Sequence, residues 1–408
     1  MRIGIFLLSP VEIGGGFQQA LSTITAASGE TRHEILALTF SREIFDRAGK
    51  AGLHAALLHY SAVSRWVDTV SATRAGGLLI RLIRRLGLST IGRRLDALLA
   101  HHGIDLVVFN EANGLAGCLS EHAYITTVLD LCHRDWPEFP EVSANHEFMR
   151  RERLYKDILP RAVAVIANSV SGGRRVADLY GVLPERIIVL PFLPSLSVRR
   201  YAAGEQDVTP DQVRRKYKLP QQYIFYPAQL WAHKNHVYIL EGLAKFRQMT
   251  GVALHAAFAG SDKGNRRAIE ARAAVLDLTS SISFLGFVPD EDIPPLYSGA
   301  MALVMPTYFG PTNLPPLEAA ALGCPVVYSD FPEFREQIGG AALYCDLKDP
   351  STLAEKLISI RNDQALCRNL REEGRKLVEG LSAANYAEKL GAVWSDYAYL
   401  KRRWQEPD

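Results

Sequence analysis

Short apolar runs alternate with longer amphipathic stretches along most of the chain. Each run is apolar throughout rather than at every second position, which is typical of a strand that is covered on both faces. The runs in the first half are Ile3–Leu8, Glu34–Leu38, Leu106–Phe109, Tyr124–Leu129, Val163–Ala167 and Ile187–Leu190. Those in the second half are Tyr223–Tyr226, Leu254–Ala259, Ile282–Leu285, Ala302–Met305, Pro325–Tyr328 and Ala341–Tyr344. Because helical stretches separate these runs, the pattern predicts parallel α/β sheets.

The regular alternation breaks between about Pro194 and Tyr217, where the residues are polar and have no usable period. Such a break is typical of a domain boundary. We therefore assign residues 1–195 and 196–385 to two Rossmann-like domains that face each other across a cleft, because open α/β sheets bind ligands at the carboxyl ends of their strands. Residues 386–408 are helix-like and rich in aromatics, and we expect this helix to pack across both domains.

Composition narrows the class of protein. The 408 residues are 48% hydrophobic and 22% charged, which excludes a disordered or fibrous chain. A net charge of +2 argues against a nucleic-acid-binding protein. No apolar run approaches the roughly 20 residues that a membrane-spanning helix needs. Five scattered cysteines form no Cys-x-x-Cys pair. We expect a cytoplasmic protein with reduced thiols, either soluble or peripheral to the inner face of the cell membrane.

The segment Arg65–Arg94 is strongly basic. Seven arginines and only two aspartates lie between Arg65 and Asp96, interleaved with leucine and isoleucine. A basic amphipathic helix of this kind can lie on an anionic membrane. The alternative is a solvated helix whose apolar stripe faces the domain core, and this is slightly favoured because every α/β domain needs such helices.

The strongest chemical pattern begins where a buried strand ends at Pro306. A loop of glycine, threonine and asparagine follows, and a helix starts near Pro315, because proline is tolerated in a first turn whose N–H groups have no partner. Free N–H groups and the helix dipole predict an anion site there. Glu318 is expected in the first turn of this helix, in reach of a neighbouring polyol.

This segment resembles the donor-binding region of the family 4 retaining glycosyltransferases, which have the two-domain GT-B fold. Further segments that fall in the family's order are Tyr223–Asn235, Phe258–Ser261, Phe284–Val288 and Pro332–Ala342. The resemblance covers nearly the whole second half. In the first half it depends on overall layout and on the Gly14-Gly15-Gly16 loop after the first strand, because glycines let the backbone approach a ligand closely. A plain strand-to-helix turn is the alternative for that loop.

The resemblance implies a role for each matching residue. Glu318 would hold the nucleotide ribose hydroxyls, and Lys234 would offset the charge of the departing diphosphate. The further residues expected to bind the donor are Gly15, Gly16, Gln229, Phe287, Val288, Thr312, Asn313 and Leu314. Two positions depart from the family pattern: Gly310 stands where the first glutamate of a pair is usual, and Gln229 where many members have arginine. Asn313 is a candidate substitute for the missing glutamate.

The segment Asp130–Phe139 follows a buried strand, at the register where many family members carry a histidine-aspartate pair. His133 is a candidate catalytic residue that would contact the donor sugar or orient the acceptor. The alternative is a neutral surface histidine. Asp130 is a weaker candidate, because it could also cap the following turn.

Two other patterns favour structural roles. The run Asp290-Glu291-Asp292 resembles a metal-binding DxD site, but Pro289 before it and Ile293 after it indicate the entry to a helix. The resemblance implies that no metal is needed. A Gly-x-Ser-x-Gly nucleophile motif is absent, and Asn168 or Ser169 is expected to cap a helix.

The sequence thus predicts a retaining glycosyltransferase that moves a hexose from a nucleoside diphosphate sugar to a glycan or lipid-linked acceptor, in polysaccharide or lipopolysaccharide biosynthesis. GDP-mannose is the first candidate donor, because Asp130–Phe139 is similar to bacterial surface-polysaccharide mannosyltransferases. The departures at Gly310 and Gln229 motivate an alternative, a catalytically inactive nucleotide-sugar-binding scaffold or regulator of a glycan assembly complex. An oxidoreductase is less favoured because no dinucleotide fingerprint is present.

Overall fold

The computed structural model describes residues 1–9, 15–59, 94–310 and 312–404, and their contacts group into two units. Unit 1 comprises Met1–Leu131, Phe148–Pro191 and Ala383–Asp408, and unit 2 comprises Cys132–Glu147 and Phe192–Ser382. The predicted membrane contact through Arg65–Arg94 lies outside the described residues, apart from its last residue.

Unit 1 is built on a seven-stranded parallel sheet. Its strands are β1 (Arg2–Phe6), β2 (Glu34–Thr39), β3 (Ala55–Leu57), β4 (Leu106–Phe109), β5 (Ala123–Val128), β6 (Ala164–Ala167) and β7 (Ile187–Val189). They are ordered β3-β2-β1-β4-β5-β6-β7, so the direction of winding reverses between β1 and β4. Ile5 is paired with Ala37 on one side and Val108 on the other, and all three are completely buried.

Unit 2 is built on a six-stranded parallel sheet. Its strands are β8 (Tyr223–Pro227), β9 (His255–Ala259), β10 (Ile282–Gly286), β11 (Ala302–Met305), β12 (Val326–Ser329) and β13 (Ala342–Cys345). They are ordered β10-β9-β8-β11-β12-β13, so the reversal lies between β8 and β11. Strand β11 is buried along its whole length, as its uninterrupted apolar sequence predicts. The prediction of two Rossmann-like α/β domains is confirmed.

The helices lie between these strands. In chain order the described α-helices are α1 (Gly15–Ala27), α2 (Arg42–Lys50), α3 (Arg94–His101), α4 (Gly114–Cys118), α5 (Cys132–Asp135), α6 (Pro140–Ser143), α7 (Glu147–Ile158), α8 (Val170–Tyr180), α9 (Leu196–Ala202), α10 (Pro210–Lys216), α11 (His236–Thr250), α12 (Arg266–Val275), α13 (Ile293–Gly299), α14 (Leu314–Ala321), α15 (Pro332–Ile338), α16 (Pro350–Asn362), α17 (Gln364–Gly380) and α18 (Ala383–Lys401). Short 3-10 turns add Ala144–His146, Leu159–Arg161, Pro184–Arg186, Ala232–Lys234, Thr279–Ser281 and Gly339–Ala341.

The last helix, α18, belongs to unit 1, where it packs against α1. Trp394 on α18 is completely buried. The hydroxyl of Tyr386 lies 3.4 Å from that of Thr23 on α1, and Lys401 Nζ donates to Asp105 Oδ1 over 2.6 Å. The chain therefore returns to its first unit after completing the second.

The boundary segment contains more regular structure than its sequence indicated. Two short helices, α9 and α10, lie in the stretch where no usable period was found. Val198 is the buried residue of α9, and Val213 is the buried residue of α10. A reciprocal pair of hydrogen bonds between Thr209 and Gln212 starts α10. One buried residue for each short helix is too little to produce a recognisable period.

One segment is grouped differently from the sequence-based domain assignment. Cys132–Glu147 was assigned with the first domain, but its contacts group it with unit 2. The rings of Trp136 and Phe139 lie 5.4 and 5.1 Å from the ring of Tyr308, which follows β11. These aromatic contacts attach the segment to unit 2.

Two further properties concern the chain as a whole. Four of the five cysteines, Cys132, Cys324, Cys345 and Cys367, are buried. In the part of the chain that the structure describes, no helix combines the length and apolar character that crossing a membrane requires.

Candidate functional site

The candidate site lies where the second sheet reverses direction. Beyond the carboxyl end of β8 the chain forms the 3-10 turn Ala232–Lys234, and beyond β11 it forms the loop that leads into α14. The carboxyl ends of neighbouring parallel strands meet at such a reversal, which is where open α/β sheets bind ligands. Lys234 Nζ donates to Asn313 Oδ1 over 3.3 Å, so the two loops are in contact.

The opening of α14 offers fewer amide donors than expected. Its first three residues are Leu314, Pro315 and Pro316, and the two prolines carry no N–H. The N–H of Asn313 donates to Gln337 Oε1 over 3.1 Å, and Gln337 Nε2 donates to the Asn313 carbonyl over 2.6 Å. The expected role of the Asn313 amide in ligand binding therefore competes with this internal bond. Among the first three helical positions, only Leu314 has an N–H to offer an anion.

Thr312 adds a hydroxyl beside this helix start. The residue is 8% exposed, and its Oγ1 is buried with no hydrogen-bond partner among the residues that the structure describes. A buried polar group without a partner costs about 1–3 kcal/mol. Thr312 is thus a donor that a bound ligand would satisfy.

Gly310 and Asn313 show how the loop before α14 packs at the position where the family usually has its first glutamate. Gly310 has a φ of +98°, which side-chain-bearing residues rarely adopt. A Cβ there would lie 3.0 Å from Asn313 Oδ1. Asn313 Nδ2 donates to the Gly310 carbonyl and to the Tyr328 hydroxyl, each over 2.7 Å. The Asn313 side chain therefore fills the space beside Gly310.

Glu318 is buried within unit 2. It is the fifth residue of α14, so it lies just beyond the first turn rather than in it as expected. The Tyr297 hydroxyl donates to Glu318 Oε2 over 2.9 Å, and Ser195 adds side-chain and backbone hydrogen bonds. Burial raises the pKa of the Glu318 carboxyl, and the bonds from Ser195 and Tyr297 oppose this shift only in part.

Three other candidate residues lie beyond the ends of β8 and β10. Gln229 Oε1 accepts from Trp231 Nε1 over 2.9 Å, so its amide already has an internal partner. Phe287 is 58% exposed, whereas Val288 next to it is buried. An exposed phenylalanine ring at the carboxyl end of a strand is a suitable platform for a planar ligand.

The remaining candidates lie elsewhere. His133 lies on α5 and is completely buried, so the alternative of a surface histidine is wrong. Asp130 accepts from Arg151 Nη1 over 2.7 Å within unit 1, so its carboxylate has a cationic partner. Gly15 and Gly16 open helix α1 of unit 1.

Asp292 and Ser169, for which structural roles are expected, form hydrogen bonds within the protein. Asp292 occupies the N-cap position of α13, but its Oδ2 accepts from Lys216 Nζ over 2.5 Å and from the Tyr217 hydroxyl over 2.6 Å instead of capping. Ser169 caps α8 as expected, since its Oγ accepts from the Gly172 N–H over 3.0 Å. The described residues contain no group of three or more histidine, cysteine, aspartate or glutamate side chains suited to a metal ion.

Sequence reasoning missed several residues that shape the site. They are Glu141, Ser195, His233, Tyr297, Tyr328 and Gln337. Gln337 lies in the segment Pro332–Ala342, whose resemblance to the family was recognised without a role for this side chain. Glu141 gave no signal, because its partner His233 is far from it in sequence.

Residues 210–377, which include Lys234, Thr312 and Glu318, match the family model described as glycosyl transferases group 1. The match lies within unit 2 and covers less than half of the chain. The predicted likeness of the chain to family 4 glycosyltransferases is confirmed. The chain is 37% identical over 84 residues to the O-antigen chain mannosyltransferase B of Escherichia coli, a match covering 21% of this chain and 22% of that protein.

Longer matches are less identical. The O-antigen chain mannosyltransferase RfbU of Salmonella typhimurium is 27% identical over 196 residues, covering 48% of this chain and 50% of that protein. The chain thus matches half or less of the length of these two relatives. Among solved structures, HepE of Anabaena, in complex with UDP and glucose, superposes with a TM-score of 0.71 at 15% identity, over 97% of this chain and all of that one. That likeness shows the GT-B fold.

Proposed function

We propose that this glycosyltransferase moves a hexose from a nucleoside diphosphate sugar to a glycan or lipid-linked acceptor, with retention of the anomeric configuration. The observation that carries the proposal is the assembly of Lys234, Thr312 and Leu314 around the start of α14, within the segment that matches the group 1 glycosyltransferase model. An ammonium, a buried hydroxyl without a partner and a helix amide are suitable donors for a diphosphate.

In this proposal Lys234 stabilises the charge that develops on the diphosphate as it leaves. Thr312 and the Leu314 amide add uncharged donors. They act in place of the amides that the prolines of α14 lack. The departing phosphate itself takes the acceptor proton, so the protein orients the reactants and stabilises charge. Gly15, Gly16, Gln229 and His133 stay candidate contacts of the reacting groups.

Glu318 is the proposed partner of the ribose. A carboxylate accepts several hydrogen bonds, and Glu318 already accepts from Tyr297 and Ser195. The exposed ring of Phe287, with Val288 beside it, would flank the nucleobase. A buried acid and an exposed aromatic ring, both beyond the strands of unit 2, suit the polar sugar and the flat base of a nucleoside.

Mannose is the first candidate sugar, and GDP-mannose the first candidate donor. The support is the similarity to O-antigen chain mannosyltransferases of two organisms. Those names also favour a glycan acceptor in surface-polysaccharide synthesis. We propose that no metal cofactor takes part.

The test is a donor panel read by nucleotide release. GDP-mannose and a set of UDP-hexoses are incubated with the protein, with and without methyl α-mannoside as a probe acceptor. We expect GDP release from GDP-mannose, lowered about 10- to 100-fold in Lys234→Met and Glu318→Gln, since each removes one charge-assisted contact. An α-anomer as the first-formed sugar, detected by NMR, supports retention.

Other results separate the alternatives. Release from a UDP-hexose alone would reject GDP-mannose but keep the transferase. Nucleotide binding without release from any donor would favour a catalytically inactive, nucleotide-sugar-binding scaffold. That alternative is motivated by the position of Gly310, where the side chain of Asn313 and a φ of +98° disfavour the usual glutamate. Neither binding nor release would reject the whole proposal.

A further inference from the structure

The segment Cys132–Glu147 brings polar and aromatic side chains to the candidate site. It lies between β5 and α7, both of which belong to unit 1, yet its own contacts are with unit 2. The ring of Trp136 lies 5.4 Å from that of Tyr308 and 5.6 Å from that of Phe331. The ring of Phe139 lies 5.1 Å from that of Tyr308. These contacts position the helix α6 that follows.

Glu141 on α6 binds both the backbone N–H and the ring of His233. Its Oε1 accepts from the His233 backbone N–H over 2.8 Å and lies 2.5 Å from His233 Nδ1. Because an ionised carboxylate only accepts, Nδ1 carries a proton in this pair. Among the described residues Glu141 Oε2 is buried without a hydrogen-bond partner, and the carboxylate is stabilised mainly by the two bonds from His233, with a further bond from its own backbone. Burial works against the charge of Glu141, but these bonds outweigh it and lower its pKa.

His233 is held on its other sides as well. Its ring stacks on Phe309, with 3.8 Å between the ring centroids and 14° between the planes. Its carbonyl accepts from the Tyr308 N–H over 3.0 Å and from Thr307 Oγ1 over 3.4 Å. The residue that follows is Lys234, whose carbonyl accepts from the Tyr226 hydroxyl. Because Lys234 follows His233 directly, the bonds to the His233 backbone also restrain the point from which the Lys234 side chain starts.

We infer that Glu141 is a positioning residue, which holds the 3-10 turn Ala232–Lys234 and thereby sets where the Lys234 ammonium meets the donor diphosphate. The inference rests on the proposed function for the role of Lys234. Glu141 acts through His233 and needs no contact with the donor. A purely structural anchor would affect stability alone, whereas a positioning residue affects diphosphate binding in a way that depends on Lys234.

A double-mutant cycle tests this dependence. GDP and UDP binding is measured by titration calorimetry for the wild type, Glu141→Ala, Lys234→Met and the double variant. We expect Glu141→Ala to weaken binding about tenfold, the scale of one buried charge-assisted hydrogen bond. In the Lys234→Met background the same change should have almost no effect, since the group that Glu141 positions is gone. Additive losses would overturn the inference.

Two further measurements make the result specific. Glu141→Gln keeps an acceptor oxygen, so we expect its loss in binding to be smaller than that of Glu141→Ala. GMP and UMP lack the second phosphate, and their binding should change less than that of GDP and UDP. Equal losses for mono- and diphosphates would overturn the inference, because they would indicate general damage to unit 2.

Asp96 provides a matched control. Its Oδ1 accepts from the backbone N–H and from Nδ1 of His122, over 3.1 and 2.8 Å, the same arrangement in unit 1. We expect Asp96→Asn to leave nucleotide affinity unchanged. An equal loss in this variant would count against the inference.

Hydrogen exchange separates this inference from the proposed function. In protein without ligand, we expect Glu141→Ala to speed amide exchange in residues 230–236, and unchanged exchange there would overturn the inference. Wild-type protein that binds neither GDP nor UDP would overturn the proposed function, while the exchange result would still decide whether Glu141 holds the turn.

Discussion

Glu318 illustrates how burial changes the chemistry of a single carboxyl group. In the folded chain it is 6% exposed, and burial raises its pKa above the ordinary value near 4.5. A carboxylate binds ribose hydroxyls as an acceptor, and protonation removes part of that capacity. As the pH falls, Glu318 should therefore lose its contribution to nucleotide binding at a higher pH than an exposed glutamate would.

This gives a pH prediction for nucleotide binding. As the pH falls from 7 through the raised pKa of Glu318, GDP or UDP affinity should decrease, because the protonated form accumulates early. Glu318→Gln should bind about 10-fold more weakly at pH 7 and lose this part of the pH dependence. Titration calorimetry across the pH range measures both. Parallel pH profiles for the two proteins would contradict the assignment.

Gly310 allows a test of the missing glutamate. Gly310→Glu restores the family's residue, but the φ of +98° strains any side chain and the new Cβ would press on Asn313. We expect a loss of about 1–3 kcal/mol in stability. Nucleotide binding should weaken, because Asn313 would be displaced from Lys234. Gly310→Ala, with the same strain and no carboxylate, is the control.

The outcome is read by thermal unfolding and calorimetry. If Gly310→Glu folds as stably as the wild type and binds the nucleotide more tightly, the explanation of how the chain accommodates glycine here is wrong.

At the scale of elements, the strands were the most predictable part of the fold. Every apolar run identified in the sequence corresponds to a strand, with its bounds shifted by at most two residues. Strand β3 was missed because it has only three residues, all half-buried, at the edge of its sheet. An edge strand is covered less completely than a central one, so its sequence carries a weaker apolar signal.

A buried carboxylate links helix α3 to the neighbouring loop. Asp96 on α3 accepts hydrogen bonds from Ser120, Glu121 and His122, which tie the helix to the loop before β5. Burial raises the pKa of the Asp96 carboxyl, but these bonds outweigh that effect and lower the pKa from 3.8 to about 2. A lowered pKa means that the carboxylate stabilises the fold above pH 4 and that this contribution disappears as the pH falls through about 2.

The size of the stability loss expected in Asp96→Asn follows from the lowered pKa of the Asp96 carboxyl. We expect Asp96→Asn to lower the free energy of unfolding of unit 1 by about 2 kcal/mol at neutral pH, and the difference from wild type to shrink below about pH 4. Urea unfolding followed by hydrogen exchange in α3 measures it. A difference that stays constant down to pH 2 would contradict the ionic origin of this stabilisation.

At the scale of the whole molecule, the sequence could not predict which parts of the chain meet. The segment Cys132–Glu147 follows a strand of unit 1 in sequence and was assigned there, but its aromatic residues pack on unit 2. Similarly, the Gln337 side chain on α15 makes two hydrogen bonds with the backbone of Asn313, the residue before α14. Periodicity reports which face of an element is buried and carries no information about its partner. The candidate residues Lys234, Thr312 and Glu318 were found by family resemblance, whereas Glu141 required the structure.

The last helix gives a prediction at the same scale. Trp394 of α18 is completely buried in unit 1, although it lies more than two hundred residues beyond the last strand of that unit. Trp394→Ala should lower the stability of unit 1 by about 3–5 kcal/mol. Hydrogen exchange should increase across unit 1, including α1, and not across unit 2. Equal exchange changes in both units would contradict the assignment of this helix to unit 1.

In the proposed function a nucleoside diphosphate binds at the start of α14. A crystal structure with GDP or UDP would show the position of the ligand itself. We expect the diphosphate within about 3 Å of Lys234 Nζ, Thr312 Oγ1 and the Leu314 amide, and the ribose hydroxyls on Glu318. A nucleotide bound in another place, with these four groups making no contact to it, would contradict the account.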